Sequence, residues 1–349
     1  MERSVTSSAS LSSAGASSGS PALIALDWGT SSLRGFLMDG SARVLAERSN
    51  AHGIQNLSEA GAAGFEAALA GLCDDWLDIR PTLPVVAGGM VGSAQGWVEA
   101  PYVTTPADAT VLADNAAQVM TAAGRPILIA PGVLHDPVGG IPDVMRGEEI
   151  QIAGALAEDS GWARDACIAM PGTHSKWVRI ADGRIMGFST FMTGELFAVL
   201  KAHSLLGRLM PAGLDAKPED EKAAFDTGIQ TAQSAGPGDL PHQLFATRTL
   251  GLTKRMPPEA LAHYLSGLLI GHELRSGLAL LTEMPAGTPL LLIGDPGLCR
   301  RYSRALAAFG TTPTAQLGNT APRGLFQFAA AAGLLPSVSA SPSSTESTS

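Results

Sequence analysis

The segment LIALDWGTSSLRGFLMD near the N-terminus is an apolar strand that ends on Asp27 and turns through Gly29-Thr30-Ser31-Ser32. A carboxylate, a glycine and three hydroxyls in one tight turn can hold a metal-bound phosphate. Asp27 can orient Mg2+ or its water, Gly29 lets backbone N–H groups approach phosphate oxygens, and the hydroxyls donate hydrogen bonds. The same pattern also fits an ordinary hairpin between strands at 23–26 and 33–38, with Asp27 solvating the turn. A second apolar strand, 166–170, runs into Pro171-Gly172-Thr173-His174-Ser175-Lys176, so the strand–turn–strand device occurs twice. Between the two copies, Arg146-Gly147-Glu148-Glu149 opens a helix reaching residue 156. An acid at a helix N-terminus stays ionised and ready to accept a proton, or simply caps the first turn.

Other elements must hold these groups in place. A loop at 50–56 precedes an amphipathic helix at 65–77, and a strand at 84–87 runs into the Gly-rich segment 88–97. Strands follow at 126–130 and, around the Asp182-Gly183 turn, at 177–180 and 184–188. Helices are expected at 196–209, 258–281 and 299–309; the part from 261 to 281 reads as packed core, and Thr193-Gly194-Glu195 as a helix cap. Between the last two helices a buried strand at 289–293 ends in Gly294-Asp295-Pro296-Gly297, a turn that admits a flat ligand close to the backbone. Alternating strands and helices give an α/β class, and the repeated device implies two similar lobes with a cleft between them. Neither GxxxxGK[ST] nor a helix-opening GxGxxG is present, which disfavours a P-loop or dinucleotide fold.

Length and composition fit this picture. The chain has 349 residues, 45% hydrophobic and 16% charged, enough for two soluble domains. A net charge of -9 opposes general nucleic-acid binding. Cys73, Cys167 and Cys299 lack metal-ligand spacing and suit a reducing cytoplasm. No run of eighteen apolar residues suggests a membrane span, and no pattern specifies an oligomer. The Ser/Ala-rich ends, 1–20 and 337–349, read as disordered arms around a folded part divided into lobes 21–163 and 164–336.

At this level of detail the motifs resemble a known group. ALDWGTSSLRGFLMD is similar to the first phosphate motif of the sugar kinase, heat-shock ATPase and actin superfamily, MPGTHSK to its second, and LLIGDPG to its adenosine motif. NAHGIQNL, GGMVGSAQGW, DVMRGEEIQ, PGTHSKW and FMTGELFAVL resemble the 2-dehydro-3-deoxygalactonokinase family in particular. The resemblance implies two ribonuclease H-like lobes around an interlobe ATP cleft, the actin-like ATPase fold. It further implies ATP- and Mg2+-dependent phosphorylation of the 6-hydroxyl of 2-dehydro-3-deoxy-D-galactonate, a step of galactonate breakdown. Alternatives are a kinase for another sugar or sugar acid, or a nucleotide-gated binding protein on the same lobes.

Carried onto this sequence, the resemblance gives Asp27 to the metal. It gives Gly29, Thr30, Ser31 and Arg34 to the phosphates from one side, and Gly172, Thr173, Ser175 and Lys176 from the other. Gly294, Asp295 and Gly297 shape the adenosine pocket. Glu148 stands where related kinases carry an Asp base, with Glu149 as its competitor. The segment 88–97 falls where related kinases contact sugar, which makes Ser93, Gln95 and Trp97 substrate contacts, joined by His52, Gln55 and Asn56. Arg146 is the cation nearest the base and suits the substrate carboxylate.

Overall fold

Each of two sheets is built around one central apolar strand whose alternate side chains serve two cores. A computed structural model describes residues 19–211, 213 and 215–335; of the arms expected at 1–20 and 337–349, residues 1–18 and 337–349 lie outside the described residues. In the first sheet β1 (Pro21–Trp28) pairs antiparallel with β2 (Leu33–Asp39), which pairs with β3 (Val44–Asn50). Helix α1 (Ala62–Ile79) crosses to β4 (Val85–Gly88), parallel to β1. Then come β5 (Tyr102–Thr104), α2 (Ala109–Asp114), β6 (Ala117–Met120), β7 (Pro126–Ile129), β8 (Gly132–His135) and β9 (Asp143–Met145). The sheet order is β3-β2-β1-β4-β7-β6, and β5-β8-β9 form a small sheet of their own.

Helices α3 (Glu148–Leu156) and α4 (Ser160–Arg164) lead into the second sheet. Here β10 (Asp165–Met170) pairs antiparallel with β11 (Ser175–Ala181), which pairs with β12 (Arg184–Phe191). Four helices follow: α5 (Thr193–His203), α6 (Pro218–Gln233), α7 (Leu240–Leu252) and α8 (Leu261–Thr282). The chain then adds β13 (Leu290–Ile293), α9 (Pro296–Ala308), β14 (Ala315–Leu317) and α10 (Ala321–Ala331). The order β12-β11-β10-β13-β14 repeats β3-β2-β1-β4-β7, with the same two antiparallel and two parallel pairings.

Period-two burial explains the layers. Leu23 and Ala25 of β1 and Ala166, Ile168 and Met170 of β10 point into one shared core with Ile150 of α3 and Leu325 and Phe328 of α10. The opposite faces diverge: Ile24, Leu26 and Trp28 meet Phe65, Leu69 and Trp76 of α1, whereas Cys167 and Ala169 meet Phe225, Leu274 and Leu306. Helix α10 follows the second sheet in the chain but packs against α3, β1 and β4. Two expected helices are shorter than anticipated. The one placed at 196–209 stops at His203, because Ser204 Oγ bonds the Leu200 carbonyl and its own Oγ then accepts the Leu206 N–H. The one placed at 258–281 begins with a 3-10 turn at Pro258–Ala260. Among the described residues no helix is long and apolar enough to cross a membrane.

Candidate functional site between the two sheets

The chemistry-bearing turns converge because parallel strands of each sheet end on the same side. Asp27 is in register with Gly88 of β4, and Ala169 of β10 with Leu292 of β13. Beyond these ends opens a cleft of about 340 Å³, lined by Asp27, Gly29, Gly89, Met90, Arg146, Gly147, Glu148 and Gln151 from one side and by Pro171, Gly172, Thr173, His174 and Gly294 from the other. Two glycines let three segments stack at its floor. Gly89 (φ 95°) lies so close to β1 that a Cβ would sit 2.9 Å from the Trp28 carbonyl oxygen, and a Cβ on Gly147 (φ 108°) would sit 3.4 Å from Gly89 Cα. The N-terminus of α3 therefore opens directly onto the cleft.

The two candidate bases part company there. Glu148 faces the cleft; its Oε2 accepts the Arg146 N–H at 3.1 Å, and its Oε1 lies 3.1 Å from Lys176 Nζ. Glu149 points the other way and is fully buried, so it cannot reach a cleft-bound hydroxyl. Its Oε2 accepts the Gly147 N–H at 2.7 Å, and its Oε1 has no hydrogen-bond partner among the described residues. Burial, and then the neighbouring Glu148 charge, push its pKa up to about 8. Asp27 sits opposite Arg34 across the β1–β2 pair, its Oδ2 3.6 Å from Nη1. Burial raises its pKa and Arg34 partly offsets the rise.

On the second turn, Gly172 and Thr173 line the cleft but Ser175 does not. Ser175 is fully buried and its hydroxyl lies 3.0 Å from the Tyr302 hydroxyl, which donates to Glu273 Oε2 at 2.6 Å. Trp177 Nε1 donates to the other oxygen of Glu273 at 2.9 Å. The expected phosphate contact at Ser175 is thus corrected to a strut that fixes the turn from behind. Burial raises the pKa of Glu273 against four hydrogen bonds that lower it. The capping role expected of Thr193-Gly194-Glu195 is also corrected. The N-cap is Met192, which makes no side-chain cap hydrogen bond, and Thr193 is already the first helical residue; Glu195 instead bonds His174 Nε2 at 2.5 Å, and its N–H donates to the Thr173 carbonyl.

The expected substrate residues divide into two groups. Arg146 lies in the cleft wall with Tyr102 stacked 4.4 Å from its guanidinium, and Nη2 donates to the Ala100 carbonyl at 2.8 Å. Its Nε and Nη1, and Ser93 Oγ, are buried without partners among the described residues. Such groups are costly to bury unless something bonds them. Gln95 is exposed. Trp97 stacks on Phe65 at 5.5 Å and meets Trp28 edge-on, which corrects it from a sugar platform to part of the outer core. The 50–56 loop buttresses the first turn through its backbone. Trp28 Nε1 donates to the His52 carbonyl, Gln55 N–H to the Thr30 carbonyl, and Asn56 Nδ2 to the Ser31 carbonyl. The side chains of Thr30, Ser31, His52, Gln55 and Asn56 remain exposed.

A second cavity of about 370 Å³ meets the cleft at Gly172 and runs between α5, α8 and α9. Phe197, Lys201, His263, Ser266 and Arg301 line it; none was expected as a site residue, and Ser266 falls on the 261–281 helix read as packed core. Arg301 bonds Ser266 Oγ and His263 Nδ1, both at 3.3 Å, and His263 Nε2 pairs with Glu221 at 2.9 Å. Burial lowers the His263 pKa. Of the three expected adenosine residues, Gly294 lines the first cleft, whereas Asp295 caps α9 by accepting the Leu298 N–H at 2.9 Å and Gly297 packs beside its carboxylate. The α8 surface read as core is therefore half core and half cavity wall.

Known proteins share this chain's sequence and topology. The profile of the 2-keto-3-deoxy-galactonokinase family matches residues 27–328. The chain belongs to that family. A 2-dehydro-3-deoxygalactonokinase of Escherichia coli (strain K12) is 38% identical over 301 residues, 85% of this chain and 94% of that protein. A Rhizobium meliloti (strain 1021) protein described under the same kinase name is 37% identical over 286 residues, 82% of this chain and 89% of that one. The crystal structure of a Sinorhizobium meliloti protein, also described as a 2-dehydro-3-deoxygalactonokinase, superposes with a TM-score of 0.74 at 36% identity, covering 89% of this chain and 98% of that one. In this member of the family the two large sheets repeat one strand order, as expected of two similar lobes.

Proposed function

We propose that this protein transfers the γ-phosphoryl group of ATP to the 6-hydroxyl of 2-dehydro-3-deoxy-D-galactonate, a step of galactonate breakdown. The observation that carries the reading is the position of Glu148. In a chain of this kinase family, one unburied carboxylate projects from a helix N-terminus into the cleft that both Gly-Thr turns border. Phosphoryl transfer needs held phosphates and a group that takes the hydroxyl proton. Gly29 and the Gly172–Thr173 turn supply backbone N–H groups for the phosphates, and Glu148 accepts the proton. The adenosine end lies in the second cavity, which meets the first at Gly172. Arg146 and Ser93 take the substrate carboxylate and a hydroxyl, which supplies the missing partners of their buried polar atoms.

Mg2+ fits this site through Asp27. Among the described residues there is no group of three or more His, Cys, Asp or Glu side chains able to cage a metal. Mg2+ is commonly held by one or two carboxylates, substrate phosphates and water, and among the described residues the cation paired with the Asp27 carboxyl is Arg34, 3.6 Å away. Bound there, Mg2+ would neutralise phosphate charge. The lobes, 21–163 with α10 returned to the first and 164–320, close to exclude water from the transferred group.

A coupled ADP-release assay with Mg-ATP tests the reading against a panel of 2-dehydro-3-deoxy acids and common sugars. Turnover confined to 2-dehydro-3-deoxygalactonate is the expected result. Strong turnover of another sugar with none of this acid would refute the substrate assignment.

A further inference from the structure

We propose that Lys176 is a counter-ion handed from Glu148 to the terminal phosphate of the nucleotide, so that Glu148 is free to take the substrate proton only after a triphosphate is seated. This rests on the kinase reading of the cleft. Lys176 stands on β11, in the second lobe, with 3% of its surface exposed. Its Nζ lies 3.1 Å from Glu148 Oε1, on the helix of the other lobe, and donates to the His174 carbonyl at 3.3 Å. An ammonium removed from water needs an anion beside it, and among the described residues Glu148 is the acid paired with it. The same contact occupies an oxygen that a substrate hydroxyl needs, so the pair as it stands blocks the base.

The position of Nζ makes an exchange possible. It sits at the Gly172–His174 turn, where the terminal phosphate is proposed to rest, on a flexible four-carbon stem with three donors. Charge balance in the reaction favours the same exchange. The hydroxyl oxygen forms a bond to the γ-phosphorus, the bridging P–O bond breaks with its electron pair going to ADP, and the hydroxyl proton passes to Glu148. Glu148 becomes neutral at that step. Lys176 would then be buried without an anion unless the phosphates, whose negative charge is growing, already hold it.

Isothermal titration of the full chain with a nonhydrolysable Mg-ATP analogue and with Mg-ADP tests the exchange. Glu148→Gln removes the competing anion, and the triphosphate analogue should bind about tenfold tighter while ADP changes less than about twofold. Lys176→Met should weaken the analogue by about tenfold, again sparing ADP, and Lys176→Arg should restore part of the loss. Equal shifts for both nucleotides, or no shift in Glu148→Gln, would overturn the proposal. If Lys176→Met does not fold, the Glu148→Gln comparison decides alone. Absence of sugar-acid-dependent ADP release in the unsubstituted protein sinks the kinase reading. Sugar-acid-dependent ADP release by the unsubstituted protein, together with an unchanged analogue-to-ADP affinity ratio in Glu148→Gln, sinks only the exchange.

Discussion

Replacing Glu149 by Gln should make the protein more stable, and increasingly so as the pH rises. The carboxyl is fully buried, and its pKa is raised from 4.5 to about 8. A folded chain with such a group keeps its proton where the unfolded chain has lost it. Stability from this group is therefore intact below about pH 4.5, declines as pH rises, and levels off above about pH 8. A rise of that size, at 1.36 kcal/mol per pKa unit, amounts to about 5 kcal/mol of lost stability across the window. The amide of Gln is isosteric, can still accept the Gly147 N–H, and does not titrate.

Urea unfolding of both proteins from pH 5 to 9 measures the difference. The curves should differ by only about 1 kcal/mol at pH 5 and separate steadily, Glu149→Gln leading by about 4–5 kcal/mol near pH 8. Because the Glu148 charge is the second cause of the shift, Glu148→Gln should narrow the gap. Parallel curves for the two proteins would refute the reasoning, since they would mean that Glu149 ionises alike in both states. The same substitution separates the two acids chemically. With a pKa near 8, Glu149 already holds its proton at neutral pH and cannot take another, so Glu149→Gln should keep turnover within about threefold.

Three further outcomes can be checked. Glu148→Gln should lower kcat by about 10²–10⁴ in the coupled ADP assay while the protein still binds nucleotide. Arg146→Ala should raise KM for the sugar acid by at least about tenfold and leave KM for ATP nearly unchanged, because its buried, unpartnered nitrogens are the groups proposed to take the substrate carboxylate. Gly53→Ala should lower the unfolding temperature and weaken nucleotide binding, since the new Cβ would lie 2.4 Å from the Ser31 backbone; overpacking of this kind costs about 1–3 kcal/mol. An unchanged Tm for that variant would show that the 50–56 loop does not brace the turn.

Much of the fold was legible because its central strands announce themselves. β1 and β13 are short apolar runs followed by Gly and β10 is one followed by Pro-Gly, and the repeated strand–turn–strand device implied two lobes. Helices α6 and α7 escaped for opposite physical reasons. α6 opens with Pro218-Glu219-Asp220-Glu221, good first-turn chemistry that reads as a polar loop until its buried Phe225 and Ile229 appear. α7 scatters polar and apolar residues around all sides and buries only Gln243 and Thr247, so no stripe marks it.

The site was legible where backbone carries it and illegible where a choice of face decides it. Period two puts Ser175 and Trp177 on one side of β11 and Lys176 and Val178 on the other, but nothing in the sequence says which side meets the cleft. The structure answers that the first pair meets Glu273 and Tyr302 on helices α8 and α9, residues 96 and 127 positions away from their partners. The same ambiguity hid the second cavity. His263 and Ser266 are two polar residues one turn apart on α8, a helix apolar on most sides, and either pattern, satisfied core or cavity wall, fits that spacing. A glycine-rich turn advertises phosphate because its backbone does the binding, whereas a side chain's role depends on which distant element it faces. That is why Gly29 and Gly172 could be offered as phosphate-suited turns from local sequence, why Glu148 was set ahead of Glu149 only by the family resemblance, and why it takes the packing of α3 against its neighbours to turn Glu149 away from the cleft.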